Sequence, residues 1–198
     1  DATYSDAFAG VQANDLWSST RNSSSAVFYS DEHGEISGLA NVSNNRRVRC
    51  VRGGGYSPST RLSRVNGDVG QPIIVKNATN LVWQGCTAGK SGDSCGSNSI
   101  GMTWQEALAW CESSDWNGST DWYLPSIVEI MSTSNVRFGY PKLDEDMYVD
   151  TGPQSYYWSS TSVAGSSTQS WRFVSNTASF SAREKTDTQL VRCVRRGL

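Results

Sequence analysis

The sequence has one histidine, five prolines and few lysines, and its 17 basic residues nearly balance its 19 acidic ones over 198 positions. With His33 the only imidazole, the usual Cys/His zinc sites lack their nitrogen ligands, and cysteines in so polar a chain read as disulfides. A net charge of -2 excludes a polyanion binder held by bulk positive charge, so no nucleic-acid partner is expected. No apolar run approaches the roughly 20 residues that a membrane span needs. The chain opens at Asp1 without a charged-then-apolar leader, which reads as a mature or trimmed product.

What the chain has instead is eight Trp, eight Tyr and 18 Gly among many Ser, Thr and Asn. That is the composition of a loop-rich domain that buries aromatics beneath neutral polar groups, and it points to an extracellular or cell-surface location. Self-comparison shows a duplication. Trp17-Ser18-Ser19-Thr20 recurs as Trp158-Ser159-Ser160-Thr161, and Val48-Arg49-Cys50-Val51-Arg52 recurs as Val191-Arg192-Cys193-Val194-Arg195. The two motifs lie 31 residues apart in the first copy (17 to 48) and 33 in the second (158 to 191), so one segment occurs twice with a small change in length. Between them, Phe28 and Tyr29 take the place of Trp171 and Phe173. Residues 1–53 therefore read as the C-terminal half of a first repeat, 54–67 as a linker by their turn chemistry, and 68–198 as a complete domain; a short native repeat is the rival reading of 1–53.

Two capping boxes start helices in the complete copy, Thr103-x-x-Glu106 and Ser126-x-x-Glu129. After the first, Trp104, Ala107, Leu108 and Cys111 form one apolar face; after the second, Ile127, Ile130 and Met131 are the expected buried side. Elsewhere Asn80–Gln84, Tyr156–Ser159, Ser170–Val174 and Gln189–Arg195 are short, aromatic and β-branched, as strands are. Two short helices early and antiparallel strands late predict an α+β fold. Alternation in the last strand puts Val191, Cys193 and Arg195 on one face and Arg192 and Val194 on the other, with the arginines paired to carboxylates or carbonyls.

Cys86 and Cys95 enclose eight small or polar residues that have no core of their own, so a disulfide is expected to close that loop. Cys111 and Cys193 are the remaining pair of the complete copy. Cys50 matches Cys193 by repeat position, and its partner belongs to the missing half. In order, Asn80-Leu81-Val82-Trp83-Gln84, the helix Thr103 to Cys111, Asp121-Trp122-Tyr123-Leu124-Pro125-Ser126 with Glu129, Tyr157-Trp158-Ser159-Ser160-Thr161 and Val191-Arg192-Cys193-Val194-Arg195 resemble the bacterial family named for the C-terminal domain of the Legionella collagen-like adhesin. The resemblance covers about residues 68–198. It implies a disulfide-stapled, C-type-lectin-like fold, related to the formylglycine-generating scaffold, in a secreted or surface-displayed binding module. Tyr123 stands where the family pattern has Arg before Leu-Pro, a departure that bears on one buried ion pair.

Candidates for catalysis are poor. His33 lies in a polar turn, and Ser159 and Ser160 have no histidine at hand, so their hydroxyls are expected to serve hydrogen bonds. The carboxylates Asp144, Glu145, Asp146 and Asp150 offer oxygens for Ca²⁺ but not in EF-hand spacing, so a solvated acidic loop is expected and no cofactor is assigned. Arg46, Arg47, Arg49, Arg52, Arg61 and Arg64 offer an anion site or internal partners. The ligand face is placed on Tyr140, Asp144, Asp146, Tyr148, Tyr156, Gln169 and Trp171, where aromatic faces beside amides and carboxylates suit sugar rings and protein epitopes. The expected function is adhesin-type binding of a glycan or a surface protein. The alternatives are a self-associating component of a surface fibre, and an enzyme on the formylglycine-generating scaffold with a free thiol in the complete copy.

Overall fold

Aromatic and β-branched residues interleaved with Ser, Asn and Gly favour short strands over long helices. A computed structural model describes residues 16–22, 25–30, 35–41, 43, 45, 46, 48, 50, 62–65, 67, 70–76, 79–135, 142, 143, 149–152, 154–177 and 179–197. The chain divides into two compact units, a smaller one of Asp1–Gly53 with Val136–Tyr140 and a larger one of Gly54–Asn135 with Pro141–Leu198.

In the smaller unit, β1 (Leu16–Asn22), β2 (Ser25–Ser30) and β3 (Glu35–Asn41) form an antiparallel meander. In the larger one, β9 (Tyr156–Ser162), β10 (Gln169–Val174) and β11 (Ser179–Glu184) do the same, so both Trp-Ser-Ser-Thr motifs open the same kind of sheet. The registers correspond. Leu16 faces Tyr29 and Trp17 faces Phe28; Tyr157 faces Phe173 and Trp158 faces Arg172. Aligned on the tryptophans, Tyr29 is the counterpart of Phe173, but Phe28 is that of Arg172 and not of Trp171. Both ladders carry a register shift just beyond this point, and such a bulge turns a strand in a way that residue type alone does not reveal.

The second sheet of the larger unit runs β12-β6-β5-β4, from β4 (Ser63–Val65), β5 (Ile73–Lys76), β6 (Leu81–Gln84) and β12 (Val194–Arg196). Residues 63–65, inside the stretch read as linker, pair with β5. Of the strand expected at Gln189–Arg195, only its end is regular. Gln189 and Leu190 make isolated bridges to Met102 and Tyr157, while the carbonyls of Val191 and Cys193 accept from Ala88 and Gln84 amides at 2.9 and 3.0 Å.

Both helices start at their predicted caps: α1 (Trp104–Glu112) after Thr103 and α2 (Ile127–Met131) after Ser126, each with a complete capping box. The hydroxyl of Thr161 also accepts from the Ile127 amide at 3.0 Å, which fixes α2 to β9. Alternation along β6 divides the core in two. Leu81 and Trp83 join Ile74, Ile130, Tyr157, Phe173 and Val194; Val82 joins Met102, Ala107, Cys111, Trp122, Leu124, Trp158, Val191 and Cys193. The serine-rich motif serves this core through hydrogen bonds, as expected. Trp158 donates to the Met102 carbonyl at 2.9 Å, Trp104 donates to the Ser159 carbonyl at 2.9 Å, and the Ser159 hydroxyl donates to the Trp171 carbonyl at 2.7 Å. Both disulfides form, Cys86–Cys95 and Cys111–Cys193, and the second ties α1 to the chain leading into β12. Cys50 is exposed and lies outside both bonds. Among the described residues, no helix is long and apolar enough to cross a membrane.

Candidate functional site

Since Val191 and Cys193 point into the core, alternation turns Arg192 the other way, where it is 4% exposed. Its guanidinium donates to the Gln84 carbonyl and to the Thr87 hydroxyl, both at 3.0 Å. It also forms an ion pair with Asp150, whose side chain is fully buried. The other Asp150 oxygen accepts from the Thr87 amide at 2.7 Å, and the Thr87 hydroxyl meets the Tyr157 hydroxyl at 3.0 Å. Burial pushes the Asp150 carboxyl upward, but the Arg192 charge and the Thr87 hydrogen bonds outweigh it and hold the group below the usual carboxylate range. Asp150, read from sequence as part of an acidic loop, is thus a buried anchor.

A second arginine braces the Cys86–Cys95 loop. Arg64 donates to the carbonyls of Gly85 and Asp93 at 2.9 and 2.7 Å and touches the Cys95 sulfur at 3.4 Å. Of the basic stretch considered as an anion site, Arg64 is therefore an internal partner; Arg47, Arg49, Arg52 and Arg61 lie outside the described residues. So does His33.

Tyr140, Asp144, Asp146 and Tyr148, four of the predicted ligand residues, also lie outside the described residues. In the chain they fall between Thr133, 2% exposed, and the Asp150 anchor. Within that interval β7 (Ser134–Asn135) pairs antiparallel with β8 (Lys142–Leu143). The other three predicted residues are described. Tyr156 carries the Arg172 guanidinium 4.0 Å from its ring centre, and its hydroxyl accepts from the Gln154 amide at 2.6 Å. Gln169 donates to Glu184 at 2.7 Å, and Trp171 is half-buried. Tyr156 is paired with Val174, so it shares a face with Val174 and Arg172, while Gln169 and Trp171 belong to the opposite face. The sheet does not bring these three together. Among the described residues, no group of three or more His, Cys, Asp or Glu side chains is placed to hold a metal ion.

The two helices, both disulfides, strands β5 and β6 and the β9–β11 meander fall within residues 72–195, and those residues match the family described as the Lcl C-terminal domain. The chain belongs to the Lcl C-terminal domain family. Among curated proteins, none matches the chain. The matched span of this Lcl C-terminal domain begins at Pro72, just before β5, and ends at Arg195, inside β12.

The Tyr123 departure has a clear local outcome in this Lcl C-terminal domain. Its hydroxyl donates to Glu129 Oε1 at 2.8 Å. Glu129 Oε2 meanwhile closes the capping box with the Ser126 amide and hydroxyl, both at 2.8 Å. Burial, then the Glu129 hydrogen bond and charge, raise the phenol above its ordinary value. Tyr123→Phe is expected to lower stability by about 1 to 2 kcal/mol, the range for a half-buried bond to a charged acceptor, in urea unfolding. A loss below about 0.5 kcal/mol, within the range of ordinary surface changes, would show that Glu129 makes no use of the phenol.

Beside this pair lies an open groove of about 320 Å³, lined by Thr79, Asn80, Leu81, Val128, Glu129, Ser132 and Arg196. Arg196 is brought there because it pairs with Leu81 across the β12–β6 ladder. Sequence reasoning missed the groove, whose walls come from three distant segments. The one local signal was Val128, which follows the Ser126 cap and falls off the apolar face of α2, so that it is 69% exposed.

Proposed function

We propose that the chain is an extracellular or cell-surface binding module of adhesin type, with a C-type-lectin-like fold, that recognises a glycan or a surface protein through the segment from Tyr140 to Trp171. The observation that supports this best is the anchoring of the interval 134–149. Thr133 at one end is buried, and Asp150 at the other is locked to Arg192 and Thr87. Binding residues are commonly carried on such stretches held by a rigid frame, and this one carries Tyr140, Asp144, Asp146 and Tyr148. The Cys111–Cys193 bond weighs against an enzyme that needs a free thiol in this domain. Residues 1–53 are read as the C-terminal half of a repeat, supported by the shared meander and by the match of Cys50 to Cys193.

The test is a glycan array and a panel of surface proteins, each probed with the full chain in the presence of calcium. One or more ligands are expected, with Tyr140→Ala and Tyr148→Ala weakening binding by about tenfold each, the scale of an interface aromatic. No binding above background on either panel would overturn the reading, and concentration-dependent assembly without ligand, seen by light scattering, would replace it with a structural role.

A further inference from the structure

We propose that the groove between α2 and the β6–β12 pair is a binding site for a single neutral hexopyranose unit. This rests on the reading of the chain as a glycan-binding module and adds a site outside the Tyr140 to Trp171 segment. Size, charge and shape each bear on the occupant. At about 320 Å³ the groove is at the lower end of small-molecule sites, which span roughly 300 to 1,000 Å³, so it suits one sugar ring better than an extended polymer.

The charges on its lining are opposite and close. Glu129 and Arg196 both line it, and both interact with the Tyr123 hydroxyl that lies between them in the interaction order. A ligand of either sign is attracted by one of these groups and repelled by the other, so net charge brings little net gain in the groove. A polyol avoids both, because each hydroxyl donates and accepts. Three of the roughly four acceptor sites of the Glu129 carboxylate are taken by Tyr123 and by the Ser126 amide and hydroxyl, which leaves capacity for one sugar hydroxyl. Exposed Arg196 supplies donors for its neighbour.

The remaining wall is apolar and stiff. Val128, 69% exposed, offers branched methyl groups to the C–H face of a ring. It sits inside the completed Ser126–Glu129 capping box, at the second helical position, and a β-branched residue in a helix has one dominant rotamer. The opposite rim is fixed too. Asn80 holds a left-handed backbone, φ 52°, through its side-chain amide, which donates to the Gly197 carbonyl at 2.9 Å, and its own carbonyl, which accepts from the Gly197 amide at 2.8 Å. Little has to be ordered when a ligand enters, which favours binding by a small molecule.

The test is an amide chemical-shift titration of the full chain with methyl glycosides of the common neutral hexoses, alongside methyl glucuronide and a glucosamine as anionic and cationic controls. At least one neutral glycoside is expected to shift the resonances of Leu81, Val128, Ser132 and Arg196 saturably. Arg196→Ala is expected to weaken that binding by about fivefold, the scale of one or two hydrogen bonds, and Val128→Arg, which fills the groove from an exposed position, to abolish it. Absence of saturable shifts at these residues for every neutral glycoside overturns the proposal, as does tighter binding of either charged control. The broader reading is tested separately: if the arrays give a glycan ligand whose binding Val128→Arg leaves unchanged, the module reading stands and the groove is not its site.

Discussion

Replacing Cys111 and Cys193 together by alanine is expected to lower the unfolding free energy by about 4.5 kcal/mol, the loop-entropy value for a crosslink spanning some 80 residues. The bond closes a separation of 82 residues that takes in α2 and all three strands of the β9–β11 meander. Opening it frees the unfolded chain more than it changes the folded one. Both cysteines are fully buried in the cluster containing Trp158 and Val191, so alanines at these sites also leave a small void that adds to the cost. The Cys86–Cys95 bond closes only 9 residues, and its removal is expected to cost about 2.5 kcal/mol on the same account. Equilibrium unfolding in guanidinium of the two double variants, compared with the unaltered chain, measures both. If the long crosslink proved no more stabilising than the short one, the chain-entropy account would be wrong for this domain, and its bond would be holding native geometry alone.

Asp150→Ala is expected to destabilise by about 3 to 5 kcal/mol, because it strands a buried guanidinium. Arg192 would keep the Gln84 carbonyl and the Thr87 hydroxyl but lose the Asp150 carboxylate, and the Thr87 amide would lose its acceptor. The double variant Asp150→Ala with Arg192→Met removes both charges together and is expected to recover part of the loss, since the penalty lies in the unpaired charge and not in the missing attraction. The pH dependence follows in sign. The folded-state pKa of Asp150 is depressed from 3.8, so its contribution is complete above the ordinary carboxylate range and drains away as pH falls through the lower folded value. Unfolding curves taken from pH 7 downward should therefore lose stability more steeply below about pH 4 in the unaltered chain than in Asp150→Ala. Parallel curves would mean that the ion pair is not formed in solution.

These two predictions differ in how far their residues were visible beforehand. The disulfides were legible because the complete copy holds four cysteines, and the polar loop between Cys86 and Cys95 leaves Cys111 and Cys193 to each other. The capping boxes were legible because their chemistry acts over three residues. Arg192 was expected to be paired, since alternation placed it on a buried strand, but nothing near it in sequence named Asp150, 42 residues away. Asp150 looked like the end of the acidic run from Asp144 because charge is read locally, whereas burial is not.

The sequence by itself determined the α+β class, both helix starts, the cysteine pairs, the repeated Trp-Ser-Ser-Thr segment and the family, all of which rest on residue types within a few positions or on ordered motifs. Only the tertiary structure decided that Tyr156 faces away from Gln169 and Trp171, that Phe28 corresponds to Arg172, and that residues 79–81, 128–132 and Arg196 enclose one groove. Those outcomes depend on strand register, bulges and the docking of α2 on the sheets. Such features are fixed by the packing of side chains from distant segments, and the local alternation and capping rules carry no record of them.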